Sequence, residues 1–324
     1  MDDSMNDSTP STETCVSAVF SFPDSDLTVR SSDKIAFKVH KWILSSASGV
    51  FKDMLALDDL PVGTSAPESV VDVAEDSGSL EAMLRFMYPL PRPICKDMDT
   101  VLALLHLADK YHIPIITSAL QENLIASHFI KNEPLRTFAV AKKFNLKRVE
   151  GAILPDLVKD PQIFSKMIII PPEIDAVTID DLLRINYYRE HRADEAYSLF
   201  RHVNIPTLPA CECRANFPGF AEGADEPGEC ESWGAFHRLL RIKMVGDPTL
   251  DVAEESIREE VCQDSQCGDA RVHLFKHYKH SISLAASEIA KLPWTYPAEY
   301  EAHKRFAQKF NEVGKAPVKF EYDQ

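Results

Sequence analysis

The sequence predicts an α+β protein: a short β-sheet packed on a helical cluster in the first third, then a mainly α-helical remainder. Three observations carry this. Residues 26–39 alternate apolar and polar in two short runs separated by Ser31-Ser32-Asp33, the signature of a β-hairpin. Nearly every later stretch places apolar residues at the three-to-four-residue spacing of an amphipathic helix. A Pro/Gly-rich link from Ile205 to Gly228 interrupts the helical part.

Residues 1–14 are rich in Ser, Thr and Asp with almost no apolar side chains, so a disordered tail is expected over 1–23. In the hairpin, Asp26-Leu27-Thr28-Val29-Arg30 is the first strand, and Ile35, Phe37 and Val39 share one face of the second. A helix follows with Trp42, Ile43, Phe51, Met54 and Leu55 as its apolar positions. Residues 60–69 hold two prolines and a glycine and read as a loop. Ser69-Val70-Val71-Asp72-Val73 is a third strand. Ser77 or Ser79 caps a helix carrying Leu80, Met83, Leu84, Phe86 and Met87, which Pro89, Pro91 and Pro93 end. Asp97 or Asp99 starts the next, with Val101, Leu104, Leu105, Ala108 and Tyr111 on one side. Pro114 breaks it, and Ile116, Ala119, Leu120 and Leu124 mark a further short helix. Beyond residue 126, helices are expected near 127–160, 181–189, 195–203, 232–244, 251–261, 270–291 and 298–312, the last burying Tyr300, Phe306 and Phe310. The domain boundaries are then 1–23, 24–126, 127–204, a linker over 205–231, and 232–324.

The segment Val39-His40-Lys41-Trp42-Ile43-Leu44-Ser45-Ser46-Ala47-Ser48-Gly49-Val50-Phe51 resembles the hallmark of the BTB/POZ domain, a His-Lys step and spaced apolar residues after a hairpin that opens with Asp. Asp26-Leu27-Thr28-Val29 matches the preceding strand. Leu84-Arg85-Phe86-Met87-Tyr88 and Leu107-Ala108-Asp109-Lys110-Tyr111 resemble two of its helices. These motifs stand in the family's order over residues 24–126. The whole, a BTB domain followed by helices without further repeats, resembles fungal BTB proteins. The resemblance implies a protein–protein interaction module with Asp26, His40, Lys41, Tyr88, Asp109 and Tyr111 as motif residues. It also implies candidate partners: a cullin, with the chain as substrate adaptor of a RING ubiquitin ligase, or a second copy of the chain. Such adaptors carry a hydrophobic-x-Glu motif after the Tyr88 region, and residues 88–99 contain no Glu. The alternative is a non-ligase scaffold or homo-oligomerising regulator. The segment before Asp26 is short for a dimer-forming helix, so weak or no dimerisation through such a helix is expected.

Other functions find little support. Residues 1–126 carry 9 basic and 19 acidic side chains, a net of −10 out of −15 for the chain; no nucleic acid is expected as partner. Lys142, Lys143, Lys147 and Arg148 read as a solvated helix face. No apolar run approaches the roughly 20 residues of a membrane span, and no membrane partner is expected. Neither a Gly-rich phosphate loop nor a Gly-x-Ser-x-Gly elbow nor a His-Glu-x-x-His pair occurs. Asp180 and Asp181 are neighbours that diverge on a helix. No enzymatic activity and no cofactor are expected. His40 reads as orienting the strand-to-helix turn through a ring N–H. Asp26 serves either as a turn acceptor or as partner of a lysine such as Lys41.

The cysteines are the one unabsorbed pattern. Five of seven, Cys211, Cys213, Cys230, Cys262 and Cys267, fall within 57 residues. Cys211, Cys213, Cys262 and Cys267 offer a tetrahedral zinc set, with Cys230 or His237 as replacements, against the simpler reading of buried thiols as small hydrophobes. A zinc-dependent enzyme in the helical part is the weakest alternative function. Abundant thiols without a secretory signal point to a reducing, intracellular setting, cytoplasm or nucleus.

Overall fold

Alternation over 26–39 becomes a hairpin in the computed structural model, which describes residues 15–58, 69–126, 128–160, 162, 170–202 and 230–314. Residues 1–129 and 130–324 form two separately compact units.

In the first unit, strands β1 (Cys15–Ser21), β2 (Leu27–Arg30), β3 (Ile35–Val39) and β4 (Val70–Asp72) make a sheet of order β1-β3-β2-β4. β2 and β3 pair antiparallel, with Val29 opposite Phe37, and Lys34 takes positive φ to close the turn. β1 runs parallel to β3, and β4 parallel to β2. The disordered tail expected over 1–23 is therefore corrected: residues 15–21 are a strand, and residues 1–14 lie outside the described ones. β1 buries little beyond Ser17 and Phe20 and leaves Val16 in solvent, so it lacks clean alternation; main-chain bonds to β3 hold it. β3, an interior strand, buries Ala36 as well as Phe37 and Val39.

The helices of this unit are α1 (Lys41–Ala47), α2 (Gly49–Asp58), α3 (Ser77–Met87), α4 (Met98–Lys110) and α5 (Pro114–Ala126), followed by the single turn α6 (Phe129–Asn132). The one helix expected after the hairpin is two, broken at Ser48, whose hydroxyl bonds the Tyr111 carbonyl at 2.6 Å and accepts from the Phe51 N–H. Hydroxyls that bond backbone compete with helix continuation. Asp76, not Ser77 or Ser79, caps α3 by accepting from the Ser79 N–H, and Asp97 caps α4 by accepting from Thr100. Phe20, Leu27, Val29, Phe37, Leu44, Phe51, Leu80, Leu84, Val101 and Ile116 fill the core between sheet and helices.

The second unit is helical: α7 (Pro134–Lys143), α8 (Lys147–Lys159), α9 (Ile179–His202), α10 (Glu231–Gly246), α11 (Glu255–Asp264), α12 (Ala270–Val272), α13 (Lys279–Ile289) and α14 (Pro297–Gly314). A π-helical turn, His273–His277, continues α12. Two aromatic-rich clusters share α9. Ile185 and Tyr188 pack with Phe138, Ile153, Leu157, Tyr296 and Tyr300; Ala193, Ala196 and Phe200 pack with Trp233, Phe236, Leu274 and Tyr278. The helices expected at 181–189 and 195–203 are thus one. The intervening Arg189-Glu190-His191-Arg192 looks like a polar break, yet Arg189 and Arg192 are buried. Arg189 donates to the carbonyls of Leu157, Val158 and Asp160 at the end of α8. Arg192 donates to those of Ile289, Leu292 and Pro293 at the end of α13 and covers the Trp294 ring at 4.0 Å. Helix C-termini present unpaired carbonyls and partial negative charge, which a guanidinium satisfies. The proposed division at 204 and 232 cuts α9 from α10, which pack in one cluster; residues 203–229 are outside the described ones, as are the side chains of Phe306 and Phe310.

Candidate interaction site

The junction between β3 and α1 gathers the motif residues. His40 is the last residue before α1, in extended backbone. Its backbone N–H donates to the Tyr88 hydroxyl at 2.8 Å, its Nδ1 lies 3.1 Å from the same oxygen, and its Nε2 lies 3.3 Å from an Asp24 carboxylate oxygen. Phe22 stacks on Tyr88 with ring centroids 5.3 Å apart and planes 8° from parallel. Burial pushes the Tyr88 phenol up to about 12, so it stays a neutral hydroxyl that serves His40 from both sides. Asp26 settles its own alternatives: its carboxylate accepts from the Lys41 backbone N–H at 2.7 Å, capping α1 from fifteen residues upstream, and the bond is not to the lysine ammonium.

The second pair, at the end of α4, is built around an acid that sequence reasoning missed. Glu75, nearly buried, accepts from the Tyr111 hydroxyl at 2.5 Å and pairs with Lys110. Burial works to raise its carboxyl, but the hydrogen bonds from Lys110 and Tyr111 outweigh it and hold Glu75 below the usual range. Tyr111 in turn stacks on Phe51 at 5.2 Å, and burial with the Glu75 bond raises its phenol. Asp109 is exposed, and only its backbone carbonyl joins the turn, accepting from His112. Glu75 follows a strand in no recognisable motif; only the three-dimensional path brings it to α4.

These nodes are structural, and what they support is apolar surface. Trp42, one of the apolar positions expected of the helix after the hairpin, is 76% exposed on α1, one residue past Lys41. α1 is only two turns long, and its inward position goes to Leu44. Ile94, in the loop between α3 and α4, is 78% exposed. Both side chains are large, apolar and open to solvent, Trp42 on a helix whose start is held by side-chain hydrogen bonds.

A family model described as the BTB/POZ domain matches residues 21–128. Residues 21–128 form a BTB/POZ domain. A BTB/POZ domain-containing protein of Arabidopsis thaliana, a plant rather than a fungus, is 30% identical over 99 residues, which are 30% of this chain and 47% of that one. The chain thus spans about half the length of the relative it matches. The BTB/POZ domain is a protein–protein interaction module, and the sheet, hairpin and helices described above are its frame. Within it, Asp26, His40, Tyr88 and Tyr111 hold strand ends to helix ends, while Lys41 contributes its backbone.

In the second unit, Lys143, Lys147 and Arg148 are exposed, as a solvated face requires, with Lys147 pairing with Glu150 at 3.0 Å. Lys142 departs from it, half-buried and paired with Asp181 at 3.0 Å. Arg184 bridges Glu150 and Asp181. Asp180 turns the other way, to Tyr300 and Lys304, as expected for adjacent helix positions. Among the described residues no helix is long and apolar enough to cross a membrane.

The expected set of four cysteines is redrawn. Cys211 and Cys213 lie outside the described residues. Cys267 meets Cys230, and the third member is His273, which the sequence reading did not single out; the three ligand atoms lie within 4.8 Å of one another, all buried. Cys262, half-buried, packs against this group. His237 instead stacks on Tyr197 at 5.0 Å. The five-residue gap from Cys267 to His273 was the available signal.

Proposed function

We propose that the chain is an adaptor whose BTB/POZ domain docks one protein through Trp42 and Ile94 while the helical unit receives another, with a cullin of a RING ubiquitin ligase as the docked partner. The single observation that carries this is Trp42, exposed on a helix whose start is fixed by Asp26, His40 and Tyr88. An aromatic anchor whose backbone is ordered in advance costs little entropy on binding. The net −10 of residues 1–126 favours a partner with basic residues and an on-rate that falls with salt. Such a role places the chain inside the cell, in cytoplasm or nucleus.

A second reading, a scaffold that assembles with its own copy, is favoured by one observation. Two residues after Ile94 stands Lys96, and residues 88–99 hold no Glu, where adaptors of this type carry one.

The test is binding of the full chain to a recombinant cullin N-terminal domain by biolayer interferometry, with light scattering of the chain alone. The adaptor reading expects cullin binding that Trp42→Ala or Ile94→Ala weakens by about tenfold or more, with folding stability changed by less than about 0.5 kcal/mol. A dimer that Trp42→Ala dissociates, without cullin binding, replaces it with the scaffold reading. A monomer that binds no cullin overturns both.

A further inference from the structure

We propose that Cys230, Cys267 and His273 form a structural zinc site in the helical unit, with Cys262, which packs against the cluster of Cys230, Cys267 and Ala270, moving in as the fourth ligand when the metal binds. The sulfurs of Cys230 and Cys267 lie 3.5 Å apart. That is far too long for a disulfide, whose sulfurs bond at about 2.05 Å. It is close to the edge of about 3.8 Å expected between two ligands of a tetrahedron with zinc–sulfur bonds of about 2.3 Å. His273 brings a ring nitrogen within 4.8 Å of both sulfurs.

A second, independent observation is the histidine itself. Its ring is buried, its Nδ1 lies 3.3 Å from Nδ1 of His277, and its Nε2 is buried with no hydrogen-bond partner among the described residues. A buried polar atom without a partner is uncommon and calls for an explanation such as a bound ion. The backbone around it is also unusual. His273 opens the π-helical turn, with its carbonyl accepting from the Tyr278 N–H five residues on. Such turns redirect side chains and recur at functional sites.

The supporting groups suit thiolates. Cys230 is the residue before the first turn of the sixteen-residue helix α10, where the positive end of the helix favours a negative sulfur. The fully buried Ser232 hydroxyl lies 3.1 Å from the Cys230 sulfur, in place to donate to it. Each cysteine enters the site by losing its thiol proton to solvent, and His273 enters neutral. Four protein ligands leave no open position, so the ion would tie the start of α10 to the α11–α12 corner and perform no chemistry.

The experiment uses the full chain, purified with zinc under reducing conditions and dialysed against metal-free buffer. Metal analysis by mass spectrometry is expected to find about one zinc per chain. Ser232→Ala is expected to weaken zinc binding about tenfold, the usual loss for an outer hydrogen-bond partner. Cys267→Ser and His273→Ala are expected to weaken it further still. Should either of these fail to fold, cobalt(II) exchanged into the unaltered chain gives the reading: a thiolate-to-cobalt charge-transfer band with tetrahedral visible bands supports the site. Absence of stoichiometric zinc, zinc retained by Cys267→Ser and His273→Ala alike, or a cobalt spectrum without the thiolate band overturns it.

Discussion

In the BTB/POZ domain, the starts of α3 and α4 are closed by acids close in sequence: Asp76 three residues before Ser79, and Asp97 three before Thr100. In the helical unit, the ends of α8 and α13 are closed by Arg189 and Arg192, which reach carbonyls about thirty and about a hundred residues away. The first arrangement is local and tolerates being read, and altered, one helix at a time. The second makes one helix, α9, the terminator of two others, so that its loss exposes several buried carbonyls at once. The contrast teaches that a helical assembly without a sheet can gain its order from buried cations placed on a shared central helix.

Arg192→Met strikes the second arrangement directly. The carbonyls of Leu292 and Pro293 lose their donor, while that of Ile289 keeps the Leu292 N–H. The Arg192–Trp294 contact is lost as well, and a buried orphan costs about 1–3 kcal/mol. A destabilisation of about 3 kcal/mol is expected, read as a lowered denaturant midpoint from the fluorescence of the buried Trp233. A loss under about 1 kcal/mol would show that solvent replaces the arginine.

A smaller effect comes from acid. Burial works to raise the carboxyls of Glu150 and Asp181. Arg184 and Lys147 on Glu150, and Thr178 and Lys142 on Asp181, prevail and hold both below their ordinary values. Their folded values lie below the unfolded ones of about 4, so their stabilisation is present above that pH and lost as pH falls through the folded values. The Trp233 transition is expected at a lower denaturant midpoint at pH 3 than at pH 7. The cost of Arg192→Met should stay the same across that range, because guanidinium does not titrate there. Equal midpoints at both pH values would remove the Glu150–Asp181 network from the account.

The smallest expected change is Asp26→Ala, which removes the cap of α1 for about 1 kcal/mol and leaves the Trp233 transition untouched. Hydrogen exchange at the Lys41 amide should accelerate. Unchanged exchange would mean that the Tyr88–His40 node alone fixes α1.

These distances also explain what could be read beforehand. Residues 26–39, the cap at Asp97 and the motif around His40 declare themselves because strand alternation and three-residue capping are short-range patterns, whereas Asp76 stands beside Ser77 and Ser79, which offer the same kind of capping oxygen. β1 escaped because an outer strand with two buried side chains carries no period. Trp42 fits the apolar spacing of the helix yet lies in solvent, because that spacing cannot say which face of a two-turn helix is buried. The continuity of α9 was hidden by the very arginines that secure it, since charge at positions 189 and 192 resembles a surface stretch. At the cysteine cluster, composition found Cys230 and Cys267, but His273 depended on a π-helical turn.

α9 also sets a phase. Its twenty-four residues give a rod of about 36 Å, advancing about 100° per residue. Arg189 and Arg192, three positions apart, lie about 60° from each other around the helix and serve two different helix ends. One residue inserted between them would turn everything downstream by about 100° and swing Phe200 out of its cluster along with Arg192. This segment therefore behaves like the toothed part of a gear, in which even the smallest change in count disengages both wheels.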